Sequence, residues 1–217
     1  MSYRDWMVAD LNDHTKHLEV EKATALGEVS IKVQAKNDKT VIVGTIDNGG
    51  KITVGEVIAV YNSNPQKPNI VVARSGAVWT GAAIEYARGQ DMGWGAMGEI
   101  SYAFDTNDYP SIQKKEYKFV EEGLLKHSNV LRLERLYDRV FRIHRKSGLT
   151  TFTITLINSY ETSGEEVRHA IATYGNFDGI LKTNPNGNPT GKAYGAAAEI
   201  NADIYKWGEL LGRLNKR

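Results

Sequence analysis

The strongest constraint on the fold lies near the end of the chain. There "LTTFTITLIN" (149–158) and "FDGILKT" (177–183) flank a short amphipathic segment. Both flanks are rich in Thr, Ile and Leu, the composition of strands buried on two faces. Between them, Ser163 followed three residues later by Glu166 makes a capping box that opens a helix, Val167, Ala170, Ile171 and Tyr174 give it one apolar face, and Gly175 stops it. Strand, short helix, strand at this spacing predicts a parallel pair joined by a right-handed crossover. Beyond it, the residues to Leu214 read either as one helix or, as Asn201 and Gly208 favour, as a break into a short strand "ADIYKW" and a final helix.

The earlier chain has weaker periodicities. Tyr3 to Lys22 reads as a helix with Tyr3, Met7, Leu11 and Leu18 on one face. After Gly27 the period shortens towards two, and turn signals recur at "KND", "DNGG" and "NSNPQKP". An antiparallel meander is expected, with strands near Val29–Ala35, Val41–Ile46, Glu56–Tyr61 and Ile70–Ala73. "VWTGAAIEYARG" suggests a short helix, "EISYAF" a strand, and Asp108 to Lys126 a helix with Pro110 in its first turn. In "NVLRLERLYDRVFRIHRKSG" Val130, Leu133, Tyr137, Val140 and His144 fall at helical spacing, which favours a helix, with two strands as the alternative. No internal repeat is evident. The resulting fold class is α+β (or α/β): an N-terminal helix and antiparallel β meander over 1–105, then a C-terminal βαβ unit with flanking helices over 106–217, or the two as one continuous domain.

Composition restricts the chemistry. Without cysteine there is no disulfide, thiolate metal site or thiol nucleophile. The opening "MSYRDWMVADLND" has no apolar leader and nowhere do 18 apolar residues run together, so a cytoplasmic protein outside the membrane is expected. With 27 Lys and Arg against 26 Asp and Glu, attraction to nucleic acid has to come from local patches.

Two such patches stand out. The loop "NPNGNPTGK" follows a predicted strand and precedes a predicted helix, so Asn188, Thr190, Gly191 and Lys192 could seat a phosphate or carboxylate. It is not a nucleotide-triphosphate loop: Gly187 and Gly191 are one residue too close, and Ala193 stands where a magnesium-binding hydroxyl would be. The alternative is a rigid turn with Thr190 as helix cap. On a helix, Arg132, Arg135, Arg139, Arg142 and Lys146 would form a basic stripe suited to nucleic-acid phosphates, or a solvated, salt-bridged face with Glu134 and Asp138. Asp10, Asp13, His14 and His17 have permissive metal-ligand spacing but no further cluster to complete a site, so no metal is expected, and no cofactor is implied. Trp79, Tyr86 and Trp94 among glycines could line a small-ligand pocket or pack a core.

The stretch from Val167 to Leu214 resembles the closing part of Mrr-type domains of the restriction endonuclease-like superfamily: a helix ending near Gly175, a strand, a Thr-containing loop, an Ala-rich helix, a short strand and a Leu-rich helix. The resemblance implies a nuclease-like fold whose activity depends on an acid followed, on the next strand, by Glu or Gln, one residue and Lys, together holding a divalent metal. Asp138 is the acid at the matching position, but "TFTITLIN" carries no such partners; the tripeptide "QAK" (Gln34 to Lys36) fits the local pattern in the wrong context. These readings point to a protein that engages phosphate groups of nucleic acid or nucleotide, non-catalytic or a divergent nuclease-like domain. A small-ligand sensor and a protein–protein interaction protein are the alternatives.

Overall fold

A computed structural model describes residues 1–146 and 148–216. The chain is α+β and divides into two compact units, Met1–Lys115 and Glu116–Arg217, ten residues beyond the 105/106 division expected from sequence.

The first unit opens with α1 (Tyr3–Leu11), capped by the Ser2 hydroxyl, which accepts the Asp5 N–H. Strands β1 (Val20–Ala25), β2 (Ser30–Ala35) and β3 (Thr40–Ile46) follow as an antiparallel meander. A two-residue strand β4 (Lys51–Ile52) leads into α2 (Val54–Ser63), which crosses over to β5 (Ile70–Ala73). Then come β6 (Val78–Trp79), pairing β4, α3 (Gly81–Gly89) and β7 (Gly93–Gly95). A 3-10 turn at Met97–Glu99, a one-turn helix α4 (Tyr102–Asp105) and a second 3-10 turn at Tyr109–Ser111 finish the unit. The sheet order is β1-β2-β3-β5-β7, its last three strands parallel. Met7, Leu11, Val33, Val43 and Ile70 build the core between α1 and the sheet.

The second unit has α5 (Lys115–Leu125), the hairpin β8 (Val130–Tyr137) and β9 (Val140–Arg145), then β10 (Phe152–Ile157), α6 (Gly164–Tyr174), β11 (Gly179–Lys182), α7 (Gly191–Ala198), β12 (Asp203–Tyr205) and α8 (Trp207–Arg213). The order is β8-β9-β10-β11-β12, antiparallel up to β10 and parallel thereafter. The crossover over α6 is therefore present as its sequence predicts, and the tail breaks at Asn201, which adopts φ 58°.

Several expectations are corrected. The first helix ends at Leu11, not Lys22, because Asn12 turns its side chain across to Ala23, accepting that N–H and donating to that carbonyl. Residues 56–61 are helical: Glu56 closes a capping box with Thr53, which overrides the β-branched content of the segment. "EISYAF" is turn and short helix, and the helix expected from Asp108 begins only at Lys115. The Arg-rich stretch is the β8–β9 hairpin and not a helix.

The absence of a repeat is corrected most sharply, because, apart from β4, β6 and α4 in the first unit, the two units share the order of their elements, the strand order of their five-stranded sheets and most of the register. Val20 pairs Ala35 and Lys22 pairs Gln34 across a bulge; 110 positions later Val130 pairs Arg145 and Arg132 pairs His144 across a bulge at the same place. The Thr53–Glu56 box recurs as Ser163–Glu166. Thr80 donates both its N–H and its hydroxyl to the Ile52 carbonyl at 3.0 Å, and Thr190 does so to Thr162 at 3.0 and 3.3 Å. Asp91 and Asn201 both take φ 58° at the end of the Ala-containing helix. Even the last turn repeats, with "MGEI" at 97–100 and "WGEL" at 207–210, each Glu accepting the N–H three residues before it. Two copies of one α-β-β-β-α-β-α-β plan therefore account for most of the chain.

One repeated bond gives a direct check. The Asn69 side chain accepts the Ile42 N–H at 2.8 Å, and Asp178 accepts the Thr153 N–H at 2.7 Å, each tying the start of a parallel strand to its neighbour. Asn69→Ala and Asp178→Ala are each expected to lower stability by about 1 kcal/mol in urea unfolding. A loss at one position only would contradict the equivalence.

Candidate functional site

Strand alternation, with its period of two, splits the five cations of the presumed helical stripe between opposite faces. Cross-strand pairing of Arg132 with His144 and Glu134 with Arg142 puts these four on one solvent-facing side, and Lys146 follows exposed just beyond β9. Glu134 accepts from Arg142 at 3.2 Å and faces His144 Nε2 at 3.0 Å. The hydrogen bond from His144, then the charge of Arg142, hold the Glu134 carboxyl below the usual range. One acid thus serves a face carrying Arg132, Arg142, His144 and Lys146.

Arg135 and Arg139 point elsewhere. Arg135 is buried, stacks 4.4 Å over the Phe141 ring and donates to Glu121 at 3.1 Å. Arg139 lies 3.5 Å from Glu116 and 5.4 Å over the Tyr117 ring. Around it a polar cluster closes on itself: the Tyr117 hydroxyl donates to Asp138 at 3.1 Å, and the Thr183 hydroxyl donates to Glu116 at 2.6 Å. Burial, then the Asp138 charge, push the Tyr117 and Tyr174 phenols up, so both stay protonated at any physiological pH. Burial lowers the Arg139 pKa, but Tyr117, Glu116 and Asp138 outweigh it and raise it overall. This cluster sits where the endonuclease resemblance would place chemistry, since Asp138 leads into β9. The facing part of β10 offers Thr155, Leu156 and Ile157, with neither carboxylate nor lysine. Gln34 to Lys36 lies at the end of the second strand of its unit, and its counterpart is His144 to Lys146.

The loop at 184–192 is organised by its own residues. Thr190 caps α7 by accepting the Ala193 N–H at 3.2 Å, and its N–H is bonded to Thr162. Asn188 accepts from Lys206 Nζ at 2.9 Å. Lys182 is buried, and its ammonium donates to the carbonyls of Asn184 and Asn186. Burial, and the nearby charge of Lys206, hold it below the ordinary lysine range. Gly191 and Lys192 remain exposed. Thr190, Asn188 and the Asn184 and Asn186 carbonyls are thus engaged in shaping the loop.

The remaining candidates lie apart from these groups. Asp10 binds Lys16 at 3.0 Å and His17 at 2.9 Å, while Asp13 and His14 lie in turns after α1 and not on a helix. Among the described residues no three His, Asp or Glu side chains converge. Trp79 and Trp94 are buried against each other at 5.6 Å, and Tyr86 meets Tyr61 edge-on, so these rings pack the first unit. Sequence reading missed a groove beside β12, lined by Tyr194, Tyr205, Arg213 and Lys216 among others. The "TG" pairs at 80 and 190 and the "GE" pairs at 98 and 208, 110 residues apart, are the trace of the repeat in the sequence. Among the described residues no helix is long and apolar enough to cross a membrane. No protein-family model, no curated protein and no solved structure matches the chain.

Proposed function

We propose that the chain is a non-catalytic, cytoplasmic binding protein, a divergent relative of the endonuclease-like domains, whose second unit holds the sugar–phosphate backbone of a nucleic acid on the outer face of β8–β9. The observation that carries this reading is the arrangement of Arg132, Arg142, His144 and Lys146 on one exposed face with a single acid among them. The local balance agrees: residues 116–217 have fifteen Lys and Arg against twelve Asp and Glu, whereas residues 1–115 have twelve against fourteen. The closing element order, with α6 ending at Gly175, then β11, the Thr190 loop, the Ala-rich α7, β12 and α8, supports the family reading. The non-catalytic part rests on Asp138, whose Oδ2 accepts from the Tyr117 hydroxyl, and on β10, which carries neither carboxylate nor lysine.

Anisotropy titration with a 20-base-pair duplex tests it. Three backbone cations give a slope of log affinity against log salt of about −2.7, so binding should weaken about 40-fold between 50 and 200 mM salt. The triple variant Arg132→Ala, Arg142→Ala, Lys146→Ala should abolish binding, and Lys192→Ala should leave it unchanged. Absence of binding at 50 mM salt, or binding that salt does not weaken, would refute the reading.

A further inference from the structure

The register shared by the two units brings a second set of cations to the same place. Lys22 pairs Gln34 and Thr24 pairs Lys32 in the first unit, as Arg132 pairs His144 and Glu134 pairs Arg142 in the second. Lys36 follows β2 as Lys146 follows β9, its N–H bonded to the Glu19 carbonyl at 2.9 Å as that of Lys146 is to the Asn129 carbonyl at 2.9 Å. Lys22, Lys32 and Lys36 therefore stand where Arg132, Arg142 and Lys146 stand. All three are exposed, and strand alternation puts Lys22 and Lys32 on the side of β1–β2 away from the core residues Ala23, Ile31 and Val33. Lys32 has Thr24 across from it, whereas Arg142 has the acid Glu134. The inward arginines of the second unit have no charged counterpart. Arg135, paired with Phe141, corresponds to Ala25, paired with Ile31, and Arg145, paired with Val130, corresponds to Ala35, paired with Val20. The copies thus share charge at the positions that solvent reaches, where folding does not require it.

We infer that the outer face of β1–β2, with Lys22, Lys32 and Lys36, is a second and weaker seat for the sugar–phosphate backbone, so that the chain holds nucleic acid at two points, one in each unit. The inference rests on the reading of the β8–β9 face given above. The weakness of the second seat has two sources. Lysine meets phosphate as a point charge, without the two-pronged geometry of arginine. Glu19 and Glu21 also stand beside Lys22 in the chain, where the second unit has Asn129 and Leu131, and the first unit carries more acids than cations. Alone, the lysine face is too weak to hold a 20-base-pair duplex at the concentrations at which the β8–β9 face does. Once the second unit has bound, a further length of the same molecule is presented to the lysines at an effective concentration in the millimolar range, and the seat fills.

The test compares two ligands by anisotropy with the full chain: one 20-base-pair duplex carrying a tail of thirty thymidines, and two such duplexes joined by that tail, a flexible tether that leaves each free to find a face. The joined pair should bind about tenfold tighter at 50 mM salt, beyond the roughly twofold gain that a second copy of the ligand gives by counting. That gain should vanish by 200 mM, because three further phosphate contacts bring their own slope of about −2.7. The variant Lys22→Ala, Lys32→Ala, Lys36→Ala should remove the gain and leave the single duplex within about twofold of the parent. Taking the same charge from the exposed Lys16, Lys51 and Lys67 should preserve it. A joined pair no more than twofold tighter, a gain that the face variant keeps, or an equal loss in the second variant would overturn the inference and leave the β8–β9 reading in place. Failure of the single duplex to bind at 50 mM salt would instead refute that reading, and this inference with it. Binding to phosphatidylserine vesicles that the face variant abolishes, with no gain from joining the duplexes, would assign the lysines to a membrane surface and equally overturn the inference.

Discussion

Replacing Gly187 with alanine is expected to destabilise the second unit by about 3 kcal/mol, a fall of about 10–20 °C in its melting temperature. Gly187 sits at φ 70°, the left-handed region in which a Cβ is strained, and that Cβ would overlap the Tyr160 carbonyl oxygen. The collision is with backbone and not with a side chain that could swing aside, so relief requires moving the 158–163 connection or the Asn-rich loop. Moving that loop would also pull the Asn184 and Asn186 carbonyls off the buried Lys182 ammonium, leaving a cation with fewer acceptors in a site that already disfavours its charge. Hydrogen exchange at the β10 and β11 amides should register the loss. A variant as stable as the parent would mean that the loop does not approach Tyr160.

Arg135→Ala is expected to cost about 2–4 kcal/mol, while Arg132→Ala, three residues away, should change stability by less than about 0.5 kcal/mol. The difference follows from strand alternation. The Arg135 side chain is only 4% exposed, paired with Glu121 at 3.1 Å and stacked on Phe141, so truncation removes packing and leaves Glu121 without this partner in a largely buried position. Arg132 faces solvent. Arg135→Met, which retains the stem and its contact with the ring, should recover part of the loss. A helical stripe would make both arginines equivalent, so equal effects would revive that reading. The same contrast separates folding from function: Arg132→Ala should weaken nucleic-acid binding in a protein of full stability.

The parts of the fold that were legible in sequence are those whose local signals agreed. Around Ser163–Glu166, the capping box, the apolar face of α6 and the two buried runs all favoured one arrangement, and the strand–helix–strand unit followed. The β8–β9 hairpin was misread because Arg135 occupies an inward position, which erased the alternation of apolar and polar residues. The turn at Asp138 also lacks the Gly or Asn that usually marks a hairpin. In α2, Val54, Val57, Ile58 and Val60 gave a strand-like composition, and the Thr53–Glu56 box was the signal to heed. The repeat is faint in the sequence because what the copies share is mainly caps, turns and register, while their strands keep burial without identity, as where Phe141 stands for Ile31. Of the candidate site, Arg132, Arg142 and Lys146 were legible as cations, but which face they share depends on the period.

The most direct test of the tandem plan is a map of interstrand backbone NOEs in the full chain. Arg132 should contact His144, and Glu134 should contact Arg142, with the same pattern joining Lys22 to Gln34 and Thr24 to Lys32. Parallel contacts should join Ile180 to Ile204 and, in the first unit, Val71 to Trp94. Helical contacts running from Leu131 to Arg145, or a different strand register in one half than in the other, would contradict the account.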